Sequence, residues 1–220
     1  MVKRSPVTVE PCHYGAPSLW NPVAMEPRRH GTPSPWSPGS LDPGYAQLGT
    51  SLAIACDPLL HPHRLDPGAY VGVRRYFLTI CTDRRGRYFT DSQIVEMAAL
   101  QIHQSADREG FEILVCCFMP DHMHAVVTAR VDAADFPRFA RLAKQRSGFQ
   151  FVRMRGRRLW QASYFDRTMR SDEDLAAVIR YIIENPVRAG LASAPAEYPY
   201  WGSQTYTREE ILEFVGRGRV

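Results

Sequence analysis

Phe111-Glu112-Ile113-Leu114-Val115-Cys116-Cys117-Phe118-Met119-Pro120-Asp121-His122-Met123-His124-Ala125-Val126-Val127-Thr128 reads as strand, turn, strand. The run Phe111 to Cys117 and the run Ala125 to Thr128 are apolar and rich in β-formers, and Pro120-Asp121 supplies the turn between them. The two histidines therefore open a strand. Alternate side chains of an extended chain share a face, so His122 and His124 present two imidazoles to one point while Met123 points to the opposite, buried face. Two imidazoles suit a divalent cation. Taken alone, the pair fits a half-exposed strand face better, and the rest of the chain has to decide between the two.

Outward from that stretch, Tyr76-Phe77-Leu78-Thr79-Ile80-Cys81-Thr82 has the composition of a first strand, ended by the basic turn Asp83-Arg84-Arg85-Gly86-Arg87. Between Asp91 and Glu109, Ile94, Met97, Ala98, Leu100 and Ile102 recur at helical spacing, with Asp91 or Ser92 as N-cap and Gly110 as the stop. A second helix is predicted from about Ala133 to Arg153, with Phe136, Phe139, Ala140, Leu142 and Ala143 on its apolar side. Its charged residues, Arg138, Arg141, Lys144 and Arg146, continue into the basic run Arg153-Met154-Arg155-Gly156-Arg157-Arg158, read as a hairpin tip. We take Arg138, Arg141, Lys144, Arg155, Arg157 and Arg158 as candidate contacts to a phosphate backbone. Leu159 to Asp166 is predicted to be a fourth strand. Asp172-Glu173-Asp174 loads acid onto the start of a third helix, which suits its dipole, and Leu175, Val178, Ile179, Ile182 and Ile183 carry that helix to Pro186. The order β-α-β-β-α-β-α predicts an α+β fold, a ferredoxin-like antiparallel sheet with helices on one face.

Composition divides the chain. Of its 17 prolines, 12 lie in residues 1–68, together with only 5 of the 27 Lys and Arg and 5 of the 23 Asp and Glu. Such a segment buries too little apolar surface to offset its ordering entropy, so a disordered Pro-rich arm is expected there. The domain is expected over 69–204, followed by a short accessory helix or tail in 205–220, helical from Thr207 to Val215. The whole formal charge of +4 falls in the second part of the chain; it permits an anionic partner without indicating one. Five cysteines in no metal-ligand spacing argue for reduced thiols in a cytoplasmic compartment. No stretch approaches the roughly 20 apolar residues of a membrane span, and no secretory signal is apparent.

In the third helix Tyr181 is followed four residues later by Asn185 and then by Pro186. Positions i and i+4 share a helix face, so the phenol and the carboxamide project together, with Pro186 expected to end the helix at Asn185. A tyrosine packed on the core beside a capping asparagine would have the same sequence.

Three blocks in order remove that ambiguity: Phe118 to His124; Trp160-Gln161-Ala162-Ser163-Tyr164-Phe165-Asp166-Arg167; and Tyr181-Ile182-Ile183-Glu184-Asn185-Pro186-Val187-Arg188-Ala189-Gly190-Leu191. Together they resemble the single-tyrosine HUH transposases, most of all the REP-associated tyrosine transposases, over about Tyr70 to Trp201. The resemblance implies an HUH endonuclease/transposase fold. It also implies metal-dependent nicking and strand transfer of single-stranded DNA at hairpin or repeat sequences, through a 5′-phosphotyrosine. By position Tyr181 would be the nucleophile, and His122, His124 and Asn185 the ligands of Mg2+ or Mn2+. No nucleotide cofactor is implied, because the phosphotyrosine conserves the bond energy.

Asp stands at 121 where Asn is the family's alternative, and Asn stands at 185 where Gln or His would be a stronger ligand. Asp166 is a candidate proton acceptor or simply a turn residue, the latter preferred. The partner implied is single-stranded DNA with hairpin or repeat elements. Neither a homodimer nor a monomer is favoured, and the location implied is cytoplasmic and nucleoid-associated, with no membrane. The competing function is a domesticated hairpin-DNA-binding protein without cleavage activity. An RNA-binding sheet ranks last, since Tyr76 and Phe77 form no recognisable stacking motif.

Overall fold

The computed structural model describes residues 74–169 and 175–217. The Pro-rich arm and the acidic triplet Asp172-Glu173-Asp174 lie outside them. Five strands form one antiparallel sheet in the order β4-β1-β3-β2-β5, with β1 at Arg75–Cys81, β2 at Phe111–Met119, β3 at His122–Ala129, β4 at Phe165–Thr168 and β5 at Trp201–Gly202. Helices α1 (Ser92–Arg108), α2 (Phe136–Arg155), α3 (Leu175–Arg188) and α4 (Arg208–Arg217) complete the fold. The four consecutive strands β4-β1-β3-β2 are the ferredoxin-like arrangement expected, and β5 extends the edge beyond β2.

Local chemistry sets the boundaries. The Asp91 carboxylate accepts from the Gln93 N–H at 3.0 Å and starts α1. Gly110 ends it at φ +72°, where a Cβ would also stand 2.7 Å from Val131 Cγ2. Asp135 caps α2 through the Arg138 N–H at 3.0 Å, and α2 ends at Gly156, φ +67°. Met119 pairs with His122, so Pro120-Asp121 is a two-residue hairpin loop.

The sheet is covered on both faces. Tyr76, Leu78, Ile80, Phe111, Phe118 and Met123 pack under α1 and α2. Phe77, Val115, Cys117, Met119 and Val126 pack against Ile179, Ile182 and Ile183 of α3 and Ile211 and Val215 of α4. The expectation of helices on one face thus holds for α1 and α2 and is corrected for α3 and α4. The physical reason is visible in β2, which is buried along nearly its whole length instead of alternating with polar residues. A register shift between Ile113 and Val115 turns Leu114 and Val115 both toward α3.

Three further expectations are corrected. The fourth strand is Phe165–Thr168 rather than Leu159 to Asp166. Residues 159–164 pair with the sheet backbone through an isolated Thr82–Trp160 bridge, while Trp160 Nε1 donates to Ser147 Oγ at 2.8 Å and the Lys144 ammonium holds the carbonyls of Gln161, Ala162 and Ser163. The basic run is no hairpin tip: Arg153 and Arg155 are the last turn of α2. Finally, α3 continues through Pro186 to Arg188. Its stop is a Schellman cap, with Gly190 N–H donating to Val187 O and Leu191 N–H to Pro186 O, and Gly190 at φ +67°.

Candidate active site

His122 and His124 stand on β3, opposite Cys81 and Thr79 of β1 and Met119 and Cys117 of β2. That register turns both imidazoles toward α3, and Met123 into the α1/α2 core, as the alternation predicts. The two Nε2 atoms are 3.2 Å apart with the rings at 78°. Each ring is anchored from behind, His122 Nδ1 at 2.7 Å from Asp121 Oδ1 and His124 Nδ1 at 2.7 Å from Thr79 Oγ1.

Burial pushes the His124 imidazole well below its usual range, and the charges of His122, Arg188 and Arg85 act in the same direction. His124 is therefore neutral, with a lone pair to offer. At Asp121, burial works to raise the carboxyl, but the hydrogen bond with His122, the His122 charge and the Arg85 guanidinium outweigh it, so the net shift is downward.

Tyr181 lies beside this pair. Its ring centroid is 6.2 Å from that of His124, and the Arg188 guanidinium sits over the ring, 4.4 Å from the centroid. The position follows from α3: Val178, Ile179, Ile182, Ile183 and Pro186 are buried against the sheet, which leaves Tyr181 half-buried at the border of that apolar stripe. Arg188, seven residues and two turns on, shares its side of the helix. The backbone carbonyl of Tyr181 accepts from both Asn185 Nδ2, at 3.0 Å, and Arg188 Nη2.

The donor set fits a divalent ion in part. Two adjacent donors on a six-coordinate ion with bonds of about 2.1 Å stand about 3 Å apart, close to the separation of the two Nε2 atoms. Among the described residues no group of three or more His, Cys, Asp and Glu side chains is arranged to hold a metal. Asn185 is within one helix turn of Tyr181, with its amide nitrogen turned to the helix backbone.

Other predicted residues fall elsewhere. Asp166 pairs with Leu78 and so faces the α1/α2 core, across the sheet from the histidines; it is not the proton acceptor for Tyr181, and it lies within β4 rather than in the turn expected from sequence. The six basic candidates also lie on the α2 side. Arg138 pairs with Glu109 at 2.9 Å and Arg155 with Asp91, and the Lys144 ammonium bonds three carbonyls. Arg141, Arg157 and Arg158 are exposed, and Arg158 borders a cleft of about 290 Å³ between α2 and residues 158–162. Sequence reasoning did not assign Thr79, Arg85 or Arg188 to the site. Arg188 carried a signal in its i+7 spacing from Tyr181, whereas Thr79 and Arg85 depend on strand register and turn geometry.

Comparison with known proteins agrees with this fold. Residues 71–185 match the family described as "Transposase IS200 like". The chain is 26% identical over 147 residues, 62% of its length, to a Haemophilus influenzae protein assigned as a REP-associated tyrosine transposase, and covers 83% of that protein. It is 27% identical over 134 residues, 60% of its length, to the REP-associated tyrosine transposase of Escherichia coli, and covers 77% of it. Among solved structures, a REP-associated tyrosine transposase bound to a REP hairpin superposes with a TM-score of 0.54 at 24% identity, over 64% of this chain and 82% of that one. At that identity the likeness is one of fold. With its family match spanning more than half of its length, the chain belongs to the IS200-like transposases and, within them, resembles the REP-associated tyrosine transposases.

Proposed function

We propose that the protein nicks and rejoins single-stranded DNA beside hairpin or repeat elements, with Tyr181 as nucleophile and with Mg2+ or Mn2+ held by His122 and His124. The observation that carries this reading is the convergence of the two Nε2 atoms, 3.2 Å apart, with the Tyr181 ring alongside. The hairpin in the related transposase structure supports the choice of DNA, and the family supports transposition as its purpose.

In the reaction Tyr181 Oη attacks the scissile phosphorus in line, the bond from phosphorus to the 3′ oxygen breaks, and a 5′-phosphotyrosine forms. The phenol proton is balanced by the proton gained at the new 3′-hydroxyl. Reversal by the same or another 3′-hydroxyl expels tyrosine, whose free pKa near about 10 makes it a fair leaving group. A bound divalent ion supplies charge neutralisation at the phosphoryl oxygens. His122 and His124 would hold it, with Asn185, whose Nδ2 here donates to the Tyr181 carbonyl, as the proposed third ligand. Arg188, a cation over the phenol ring, favours the developing phenolate and holds the ring beside His124.

The test is a labelled hairpin oligonucleotide from the repeats flanking the gene, incubated with Mn2+ or EDTA and run on a denaturing gel. Wild type is expected to give a metal-dependent adduct that Tyr181→Phe lacks, with hairpin binding retained by both. Binding without an adduct across several flanking sequences would instead identify a hairpin-binding protein that does not cut.

A further inference from the structure

The turn after β1 is built against its own backbone preference. Arg84 and Arg85 are consecutive residues in the left-handed region, at φ +51° and +57°, a conformation that side chains other than glycine rarely adopt. It carries Arg85 onto the β2–β3 loop. Arg85 Nε lies 3.1 Å from Asp121 Oδ2, and Arg85 Nη1 donates to Cys81 Sγ at 3.0 Å. Thr82 fastens the same loop from the backbone side, its N–H and its hydroxyl both donating to Asp121 O, at 3.0 and 2.9 Å. The other carboxylate oxygen of Asp121, Oδ1, faces His122 Nδ1 at 2.7 Å.

We propose that Arg85 and Asp121 are a positioning pair that fixes His122 with its proton on Nδ1 and its Nε2 lone pair turned toward His124, so that the two nitrogens are preset for a divalent cation. The proposal rests on the metal-site reading above. A carboxylate only accepts hydrogen bonds, so the imidazole nitrogen facing it carries the proton and the far nitrogen is the ligand atom. Arg85 occupies the second oxygen and holds the carboxylate plane. An asparagine at this position could face the ring with either its carbonyl or its NH2 and would leave the tautomer open. His124 is held differently, because the Thr79 hydroxyl can donate to or accept from its Nδ1. One ligand is therefore fixed and the other adjustable.

The experiment uses the full chain labelled with 15N-histidine, with long-range proton–nitrogen spectra recorded at about pH 8, above the ordinary titration range of imidazole. Wild type, Asp121→Asn and Arg85→Gln are compared, and Mn2+ binding is titrated by the electron paramagnetic resonance of the free ion. Wild-type His122 is expected in the Nδ1–H form. Asp121→Asn is expected to lose that fixed tautomer and to bind Mn2+ about 10- to 100-fold more weakly, and Arg85→Gln to show a smaller loss of affinity.

An Asp121→Asn protein with the wild-type tautomer and wild-type affinity overturns the pair and leaves the metal site standing. Wild-type His122 found in the Nε2–H form overturns the proposal whatever the variants do. A wild type locked in the Nδ1–H form that binds no Mn2+ overturns the metal reading, and the presetting role with it.

Discussion

His124 is held neutral by burial at the centre of the site, and the side chains around it were chosen by register. Thr79 reaches its Nδ1 only because β1 and β3 pair with those two residues opposite each other. A second buried histidine, His103 on α1, has no part in the proposed chemistry and instead bears on stability. Its Nε2 lies 4.0 Å from Cys116 Sγ. Burial lowers its pKa from the ordinary 6.5, with Asp107 opposing. Below that ordinary value the unfolded chain takes up a proton that the folded protein refuses, so stability falls as pH drops, and the loss levels off once pH is under the folded pKa. His124 acts in the same direction, so the wild-type loss contains both. His103→Gln is expected to show a smaller fall in Tm than wild type between about pH 7.5 and about pH 5.5. An identical fall would show that His103 contributes nothing to the acid sensitivity.

At the scale of elements, the lessons of α2 and α3 differ. The amphipathic stripe of α3 was legible, and with it the placement of Tyr181 at its border, but Pro186 misled about the helix end. A proline removes its own N–H and crowds the carbonyl four residues back, and α3 accommodates this in its last turn while Gly190 provides the stop. In α2 the density of basic residues suggested a phosphate-tracking face, and side-chain partners that no sequence pattern reveals divide that set. Lys144 is a brace: its ammonium satisfies three carbonyls of the irregular segment before β4. Lys144→Met, which keeps the apolar stem, is therefore expected to cost about 1–3 kcal/mol by leaving those carbonyls without their charged donor. Arg141→Ala, at an exposed position, should change stability by no more than about 0.5 kcal/mol. Urea unfolding of the two variants measures this directly, and equal midpoints would contradict the assignment.

On the scale of the whole molecule, the sheet separates two tasks. The α1/α2 face supplies an aromatic core, with Tyr76 stacked on Phe136 and Phe111 on Phe139, while the α3 face carries the histidines and Tyr181. The sheet order and the chemistry-bearing blocks were readable in the sequence. The second covered face was also written there, in the uninterrupted apolar run of β2, although helical order alone suggested one face. The remaining exposed basic residues, Arg141, Arg157 and Arg158, lie on the α2 side. If they track a DNA backbone, changing all three to Gln should lower the slope of log affinity against log salt by about 2 to 3, at roughly 0.7 to 0.9 per phosphate contact. An unchanged slope would remove that surface from the interface. Among the described residues no helix is long and apolar enough to cross a membrane.

The central claim is that Tyr181 becomes joined to a 5′ phosphate. It is tested most directly by trapping the adduct with Mn2+, digesting it with trypsin and nuclease, and locating the nucleotide by mass spectrometry while a polymerase is offered the released strand. The account predicts a nucleotide 5′-phosphate on the peptide Tyr181–Arg188, and a released 3′ end that the polymerase extends. A nucleotide on any other residue, or a released strand blocked by a 3′ phosphate, would contradict it.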